Sequence, residues 1–143
     1  MDYFDGAPEA SAILDPRKLV FGSAFNQSLE QLTLPESLRS LVFGSFNRDL
    51  KGVQLPQGLQ ELSFADSFNQ SLHDVVLPES LVMLDLGYNF DQSLEGVRFQ
   101  KLSTLNLGEA FNQSMTLGRI VKAHLGRMSI RVCELNLGHS LEV

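Results

Sequence analysis

The segment Phe25-Asn26-Gln27-Ser28-Leu29 returns four times along the chain. It recurs as Phe46-Asn47-Arg48-Asp49-Leu50, Phe68-Asn69-Gln70-Ser71-Leu72, Phe90-Asp91-Gln92-Ser93-Leu94 and Phe111-Asn112-Gln113-Ser114-Met115. The leading phenylalanines are 21, 22, 22 and 21 residues apart. A fixed period of this length restricts the chain to a repeat architecture. One such unit is too short to bury its own apolar side chains, so stability has to come from stacking each coil on its neighbours.

Two further patterns share the period. Leu-x-x-Leu-x-Phe/Leu reads Leu38, Leu41, Phe43; Leu59, Leu62, Phe64; Leu81, Leu84, Leu86; and Leu102, Leu105, Leu107, with a weaker start at Leu19, Phe21 and a late copy at Leu135, Leu137. After each anchor comes Leu32-Thr33-Leu34-Pro35, Val53-Gln54-Leu55-Pro56, Val75-Val76-Leu77-Pro78 or Val97-Arg98-Phe99. Alternation with period two marks a strand with one buried face, so each unit is predicted to hold two short strands. Gly44, Gly87, Gly108 and the Asn-Gln-Ser groups are turn residues, and Pro35, Pro56 and Pro78 close the second strand. No unit has the apolar spacing of a helix.

The predicted fold is therefore mainly β: a solenoid of about five 21–22-residue coils with short parallel strands. Residues 1–16 form an acidic N-terminal tail or partial cap, 17–118 the repeat solenoid, and 119–143 a degenerate last repeat or C-terminal cap, with a short helix over 119–127. Stacking places Leu41, Leu62, Leu84 and Leu105 in one column and Phe25, Phe46, Phe68, Phe90 and Phe111 in another. Asn26, Asn47, Asn69, Asp91 and Asn112 form a third. Its expected role is structural: side-chain amides facing inward at a corner satisfy backbone groups of the next coil. Asp91 cannot donate when ionised and is expected to be the weakest rung.

Phe-Asn-Gln-Ser-Leu followed by Leu-Pro-x-Ser-Leu resembles the FNIP repeat. The order Val-x-Leu-Pro-x-x-Leu-x-x-Leu-x-x-x-x-Phe is similar to BspA-like leucine-rich repeats, and Leu81-x-x-Leu84-x-Leu86-x-x-Asn89 to the general leucine-rich-repeat core. The resemblance implies a curved, leucine-rich-repeat-like stack of parallel strands used for protein–protein contact. It implies no catalytic residue, and FNIP repeats sometimes stand beside F-box or kinase modules.

Composition narrows the partners. The net charge is −6 without a Lys/Arg cluster, which argues against nucleic acid and against anionic membrane surfaces. No apolar run is long enough to span a bilayer, and the start lacks a signal-peptide pattern, so the expected location is cytoplasmic. The single cysteine, Cys133, rules out an internal disulfide and reads as a small buried residue. His73, His124 and His139 fall at different phases of the repeat, so no triad, zinc-ligand set or cofactor loop is expected. A β-helix lyase or glycosidase would align carboxylates from adjacent coils. Neither the column Val20, Val42, Ser63, Asp85, Asn106, Asn136 nor the column Thr33, Gln54, Val76, Arg98 does so. Asn26-Gln27-Ser28, Asn69-Gln70-Ser71 and Asn112-Gln113-Ser114 match the N-glycosylation pattern, but the repeat itself demands these residues for folding.

The expected function is a non-enzymatic protein-interaction module, a monomer or part of a longer array. The alternative is a spacer or fragment of a larger repeat protein of the F-box, kinase or receptor-like kind. The expected protein-binding face is the first strand of each coil: Lys18, Val20, Arg39, Ser40, Val42, Glu61, Ser63, Met83, Asp85, Thr104 and Asn106. These positions vary from unit to unit while the residues between them do not, and positions without packing duty are available for recognition.

Overall fold

The computed structural model describes residues 15–113 and, beyond them, three short strand segments. Strands β1 (Lys18–Phe21), β2 (Ser40–Phe43), β3 (Glu61–Phe64), β4 (Met83–Asp85) and β5 (Thr104–Leu107) each open one coil. They pair in parallel, in chain order, and β7 (Ser129–Val132) continues the sheet beyond β5. A second, two-strand parallel sheet joins β6 (Met115–Thr116) to β8 (Leu141–Glu142). No helix occurs among the described residues.

The Leu-x-Phe/Leu alternation sets the register. Leu19, Leu41, Leu62, Leu84 and Leu105 are partners across successive strands, and all five are fully buried. Phe21, Phe43 and Phe64 form a second inward row. Burying side chains of this size stabilises a fold by about 1.5–3 kcal/mol each. Spacings of 21 or 22 residues between the stacked leucines leave the register intact, because the length change is absorbed in the corners. Coil two has only Gly44-Ser45 between Phe43 and Phe46, where coil three has Ala65-Asp66-Ser67 between Phe64 and Phe68.

Beside the sheet the phenylalanines make two contiguous ladders. In the strand row, ring centroids are 5.1 Å apart for Phe21–Phe43 and 5.3 Å for Phe43–Phe64. One corner further on, Phe25–Phe46, Phe46–Phe68, Phe68–Phe90 and Phe90–Phe111 are 6.2, 6.4, 6.0 and 6.1 Å apart. Equivalent atoms of successive coils are separated by the coil-to-coil step at that point. The step therefore widens away from the sheet, whose strands pair at about 4.7–4.9 Å. The coils splay, and the sheet lies on the inner side of the bend.

The structure corrects the expectation of two strands per coil. The segments around Leu32–Leu34, Val53–Leu55, Val75–Leu77 and Val97–Phe99 keep their alternation, with Thr33, Gln54, Val76 and Arg98 exposed, but form no ladder. The backbone hydrogen bonds of these segments are turn bonds within their own coil, such as Val53 N–H to Leu50 C=O.

Side chains and tight turns hold the outer side instead. After each anchor the chain reverses in a four-residue turn, closed by Val53 N–H to Leu50 C=O, Val75 to Leu72 and Val97 to Leu94, each at 3.1 Å. Ser28, Ser71 and Ser93 accept the N–H two residues on, at 3.3, 3.1 and 3.1 Å, and Asp49 does so in the second coil at 2.7 Å. This local bond is why the fourth residue of the anchor is serine or aspartate. At the proline corners, Leu38, Leu59 and Leu81 N–H bond back to Pro35, Pro56 and Pro78 C=O. The Ser80 hydroxyl donates to the Gln57 and Leu59 carbonyls of the preceding coil at 2.7 and 2.6 Å.

At the C-terminal end the sequence expectation and the structure differ. Ile130, Arg131 and Val132 pair with Leu105, Asn106 and Leu107, so the sixth strand is not built on the late motif at Leu135 and Leu137. The helix expected over 119–127, the tail 1–14, Cys133, His124, His139 and Asn136 lie outside the described residues.

Candidate functional site

The outward face of the sheet carries two rows in strict register. One row is Lys18, Ser40, Glu61, Met83, Thr104; the other is Val20, Val42, Ser63, Asp85, Asn106. The alternation that buries Leu41 and Phe43 turns Ser40 and Val42 outward, and likewise along each strand. Lys18 and Glu61 are exposed, and Val20, Val42, Ser63, Met83, Asp85, Thr104 and Asn106 half-buried. The face is graded: a valine pair over β1 and β2 gives way to Ser63, Asp85 and Asn106 over β3 to β5.

Asp85 is the fixed point of the polar half. One carboxylate oxygen accepts the Gly87 N–H at 3.0 Å, and the other accepts the Asn106 side-chain amide at 3.2 Å. Gly87 has φ +75°, and a Cβ there would run into the Ala65 carbonyl of the coil before, so only glycine lets the chain leave β4 this way. The Asn106 side-chain oxygen and the Ser40 hydroxyl are buried without a hydrogen-bond partner.

Arg39 stands apart from the expected face. Its guanidinium donates to the Glu36 and Leu38 carbonyls at 3.0 and 2.9 Å and packs over Gly58, filling the place where the neighbouring coils have serine. It acts as a corner brace between two coils. Sequence spacing could not reveal this, since the space is created by Gly58 one coil away.

The asparagine column is bonded differently from the expectation. Asn26 Oδ1 accepts the Asn47 N–H, Asn47 Oδ1 the Asn69 N–H, and Asn69 Oδ1 the Asp91 N–H, each at 2.9 Å. Asp91 Oδ1 accepts the Asn112 N–H at 2.8 Å, so the aspartate makes the same bond as the asparagines. Only an acceptor is required, which a carboxylate supplies as well as an amide. Nor does the column face inward: Asn47, Asn69 and Asp91 are half-buried, and Asn26 and Asn112 exposed. The five phenylalanines Phe25, Phe46, Phe68, Phe90 and Phe111 beside it are all buried.

One depression lies on the opposite side, a shallow cleft of about 420 Å3 between the third and fourth coils. His73, Asp74, Val76, Glu79 and Arg98 line it, and Val76 is 75% exposed. Among the described residues no group of three or more His, Cys, Asp or Glu side chains could hold a metal ion. No helix of the described residues is long and apolar enough to cross a membrane.

The FNIP Repeat family model matches residues 17–46, 25–67, 46–89 and 68–97. The chain belongs to the FNIP repeat family. Each match covers more than one coil, in agreement with the observed period. The FNIP solenoid is also similar to the crystal structure of CroV588, described as a novel circular LRR protein, with 42% sequence identity and a TM-score of 0.63. That likeness covers 68% of this chain and 15% of the other, so the chain spans about 15% of the length of that protein. No curated protein matches the chain.

Proposed function

We propose that this FNIP-repeat chain is a non-enzymatic protein-interaction module whose partner docks on the outward face of the sheet. One observation carries the reading. Inward positions repeat the same residue, Leu19, Leu41, Leu62, Leu84 and Leu105, while the outward row beside them changes at almost every strand, from Val20 and Val42 to Ser63, Asp85 and Asn106. A regular scaffold that displays irregular side chains on a rigid sheet is suited to recognition. A protein partner is favoured over nucleic acid because the net charge is −6 and the described basic residues, Arg17, Lys18, Arg39, Arg48, Lys51, Arg98, Lys101 and Arg131, are scattered along the sequence.

The test is affinity capture from the native source with the unaltered protein and with a Val42→Asp, Met83→Asp, Asp85→Ala triple variant. Loss of specific partners from the variant is the expected result. An unchanged partner set removes this face from the function. A second reading, a spacer within a longer array, is favoured by the share of the circular LRR protein that the chain spans. Mapping the full transcript separates the two, since a spacer predicts further repeats on both sides and a capture that does not depend on these side chains.

A further inference from the structure

We propose that the solenoid is two cooperative bodies that meet between the third and fourth coils, and that the fourth and fifth coils open from the first three as one block. A stack of coils is held by the contacts between neighbours, so its weakest junction decides where it parts.

Ring packing is uneven along the stack. Three phenylalanine contacts join the first coil to the second: Phe21–Phe43, Phe25–Phe43 and Phe25–Phe46. Three more join the second to the third: Phe43–Phe64, Phe46–Phe64 and Phe46–Phe68. Among the described residues, Phe68–Phe90 alone joins the third to the fourth. The inward strand row changes there from Phe64 to Leu86, and the ladder next to the sheet ends. Aromatic pairs contribute beyond the area they bury, so this junction loses more than volume.

The proline corner weakens at the same place. Val53 and Leu59 are six residues apart, as are Val75 and Leu81, but Val97 and Leu102 only five. The missing residue takes the proline with it, and Leu102 N–H makes none of the turn bond that closes the corner at Leu38, Leu59 and Leu81. Ser80 ties the third coil to two carbonyls of the second, whereas the fourth coil reaches back through an exposed bond from the Gln100 amide to Glu79 at 2.9 Å. The cleft lined by Val76, Pro78 and Arg98 opens at this step.

The junction keeps the β3–β4 pairing, the Asn69 rung and two bonds at 3.1 Å, Tyr88 N–H to Ala65 C=O and Asn89 N–H to Asp66 C=O. It is fastened at the sheet and the corner after it, and open at the cleft. The fourth and fifth coils are tied to each other by the Asn106 amide on Asp85 at 3.2 Å and by Leu86 N–H on Asn106 C=O at 3.1 Å, which makes them one block. The boundary crosses the outward face between Ser63 and Asp85, so a partner that spans it has to hold the block closed.

Amide hydrogen exchange of the full chain, followed by NMR, tests this. The bonded amides of β4 and β5 should share one opening and exchange at least about tenfold faster than those of β2. Phe25→Leu, within the first body, should speed exchange in β2 and leave β4 and β5 unchanged, because the first three coils stay folded in that opening. One common rate for β2, β4 and β5 overturns the proposal, as does acceleration of all three strands by Phe25→Leu. So does a coil-by-coil gradient with β5 faster than β4, which is fraying from the end of the stack. The wild-type profile decides by itself if the variant does not fold.

Discussion

The side-chain oxygen of Asn69 accepts the backbone N–H of Asp91 from the next coil at 2.9 Å, and the Gln92 side-chain amide at 3.0 Å. Two donors on one acceptor join successive coils at a corner where no backbone ladder runs. The same pair recurs at Asn47, with Asn69 N–H and Gln70, and at Asp91, with Asn112 N–H and Gln113. The first anchor differs: Arg48 replaces the glutamine and reaches the Asn26 carbonyl at 3.0 Å.

An acceptor-only rung predicts that Asn69→Asp is tolerated and Asn69→Ala is not. Alanine leaves the Asp91 N–H and the Gln92 amide unpaired at a half-buried position, a loss of about 1–3 kcal/mol. Aspartate keeps the acceptor and should stay within about 1 kcal/mol of the parent. Urea unfolding of the two variants checks this, and equal destabilisation by both would contradict the one-way bonding.

Phe68 is the centre of the ring ladder, fully buried, with its centroid 4.0 Å from Phe64 and 6.0 Å from Phe90. Phe68→Ala should destabilise by about 3–5 kcal/mol, through lost burial and the cavity left behind. Phe68→Leu should lose clearly less, because leucine already serves in the neighbouring inward row at Leu86 and Leu107. Thermal melts that rank the two variants equally would show that the ladder position is not close-packed.

Gly87 and Gly52 both have φ above +70°, but their surroundings differ. At Gly52 a Cβ meets nothing within 4 Å, so Gly52→Ala should cost only the left-handed backbone preference, about 1–2 kcal/mol. At Gly87 the Cβ would strike the Ala65 carbonyl, and Gly87→Ala should be markedly worse. Comparable unfolding midpoints for the two variants would refute this close approach.

Asp74 occupies the turn position held by Gly52 and Gly96, with φ +63°. The hydrogen bond from Lys51, then that from His73, then the charges of both hold its carboxyl below its ordinary value. A carboxyl lowered on folding stabilises the native state above its unfolded pKa, and that contribution is lost as pH falls through the folded value. Since the group is exposed, its share of global stability is small. Lys51→Met should raise the Asp74 titration midpoint, read by NMR at the carboxyl carbon, and an unmoved midpoint would dismiss the pairing.

Most of the architecture was legible from the residues. The spacing of Phe25, Phe46, Phe68, Phe90 and Phe111 demanded stacked coils, and Leu41, Leu62, Leu84 and Leu105 named the inward row. The outward face followed from the same alternation, because a strand residue next to a buried leucine has to point away from the core. Arg39 did not follow, since its guanidinium answers to Gly58 in another coil. The pairing of Ser40 with Glu61 and of Asn106 with Asp85 needed the register between strands.

The repeat sequence by itself determined which side chains face the core and that the coils stack in order, because period and alternation are local properties of the chain. Only the tertiary structure decided how far apart the coils stand. At the strands that distance permits backbone pairing, while the Val-x-Leu segments stay unpaired and the corner bridging falls to Asn47, Asn69 and Asp91. It also decided that Ile130 to Val132, rather than the late Leu135 motif, meets β5. A residue pattern records preferences along the chain, and the step between coils emerges when ring packing, turns and side-chain bonds are satisfied together.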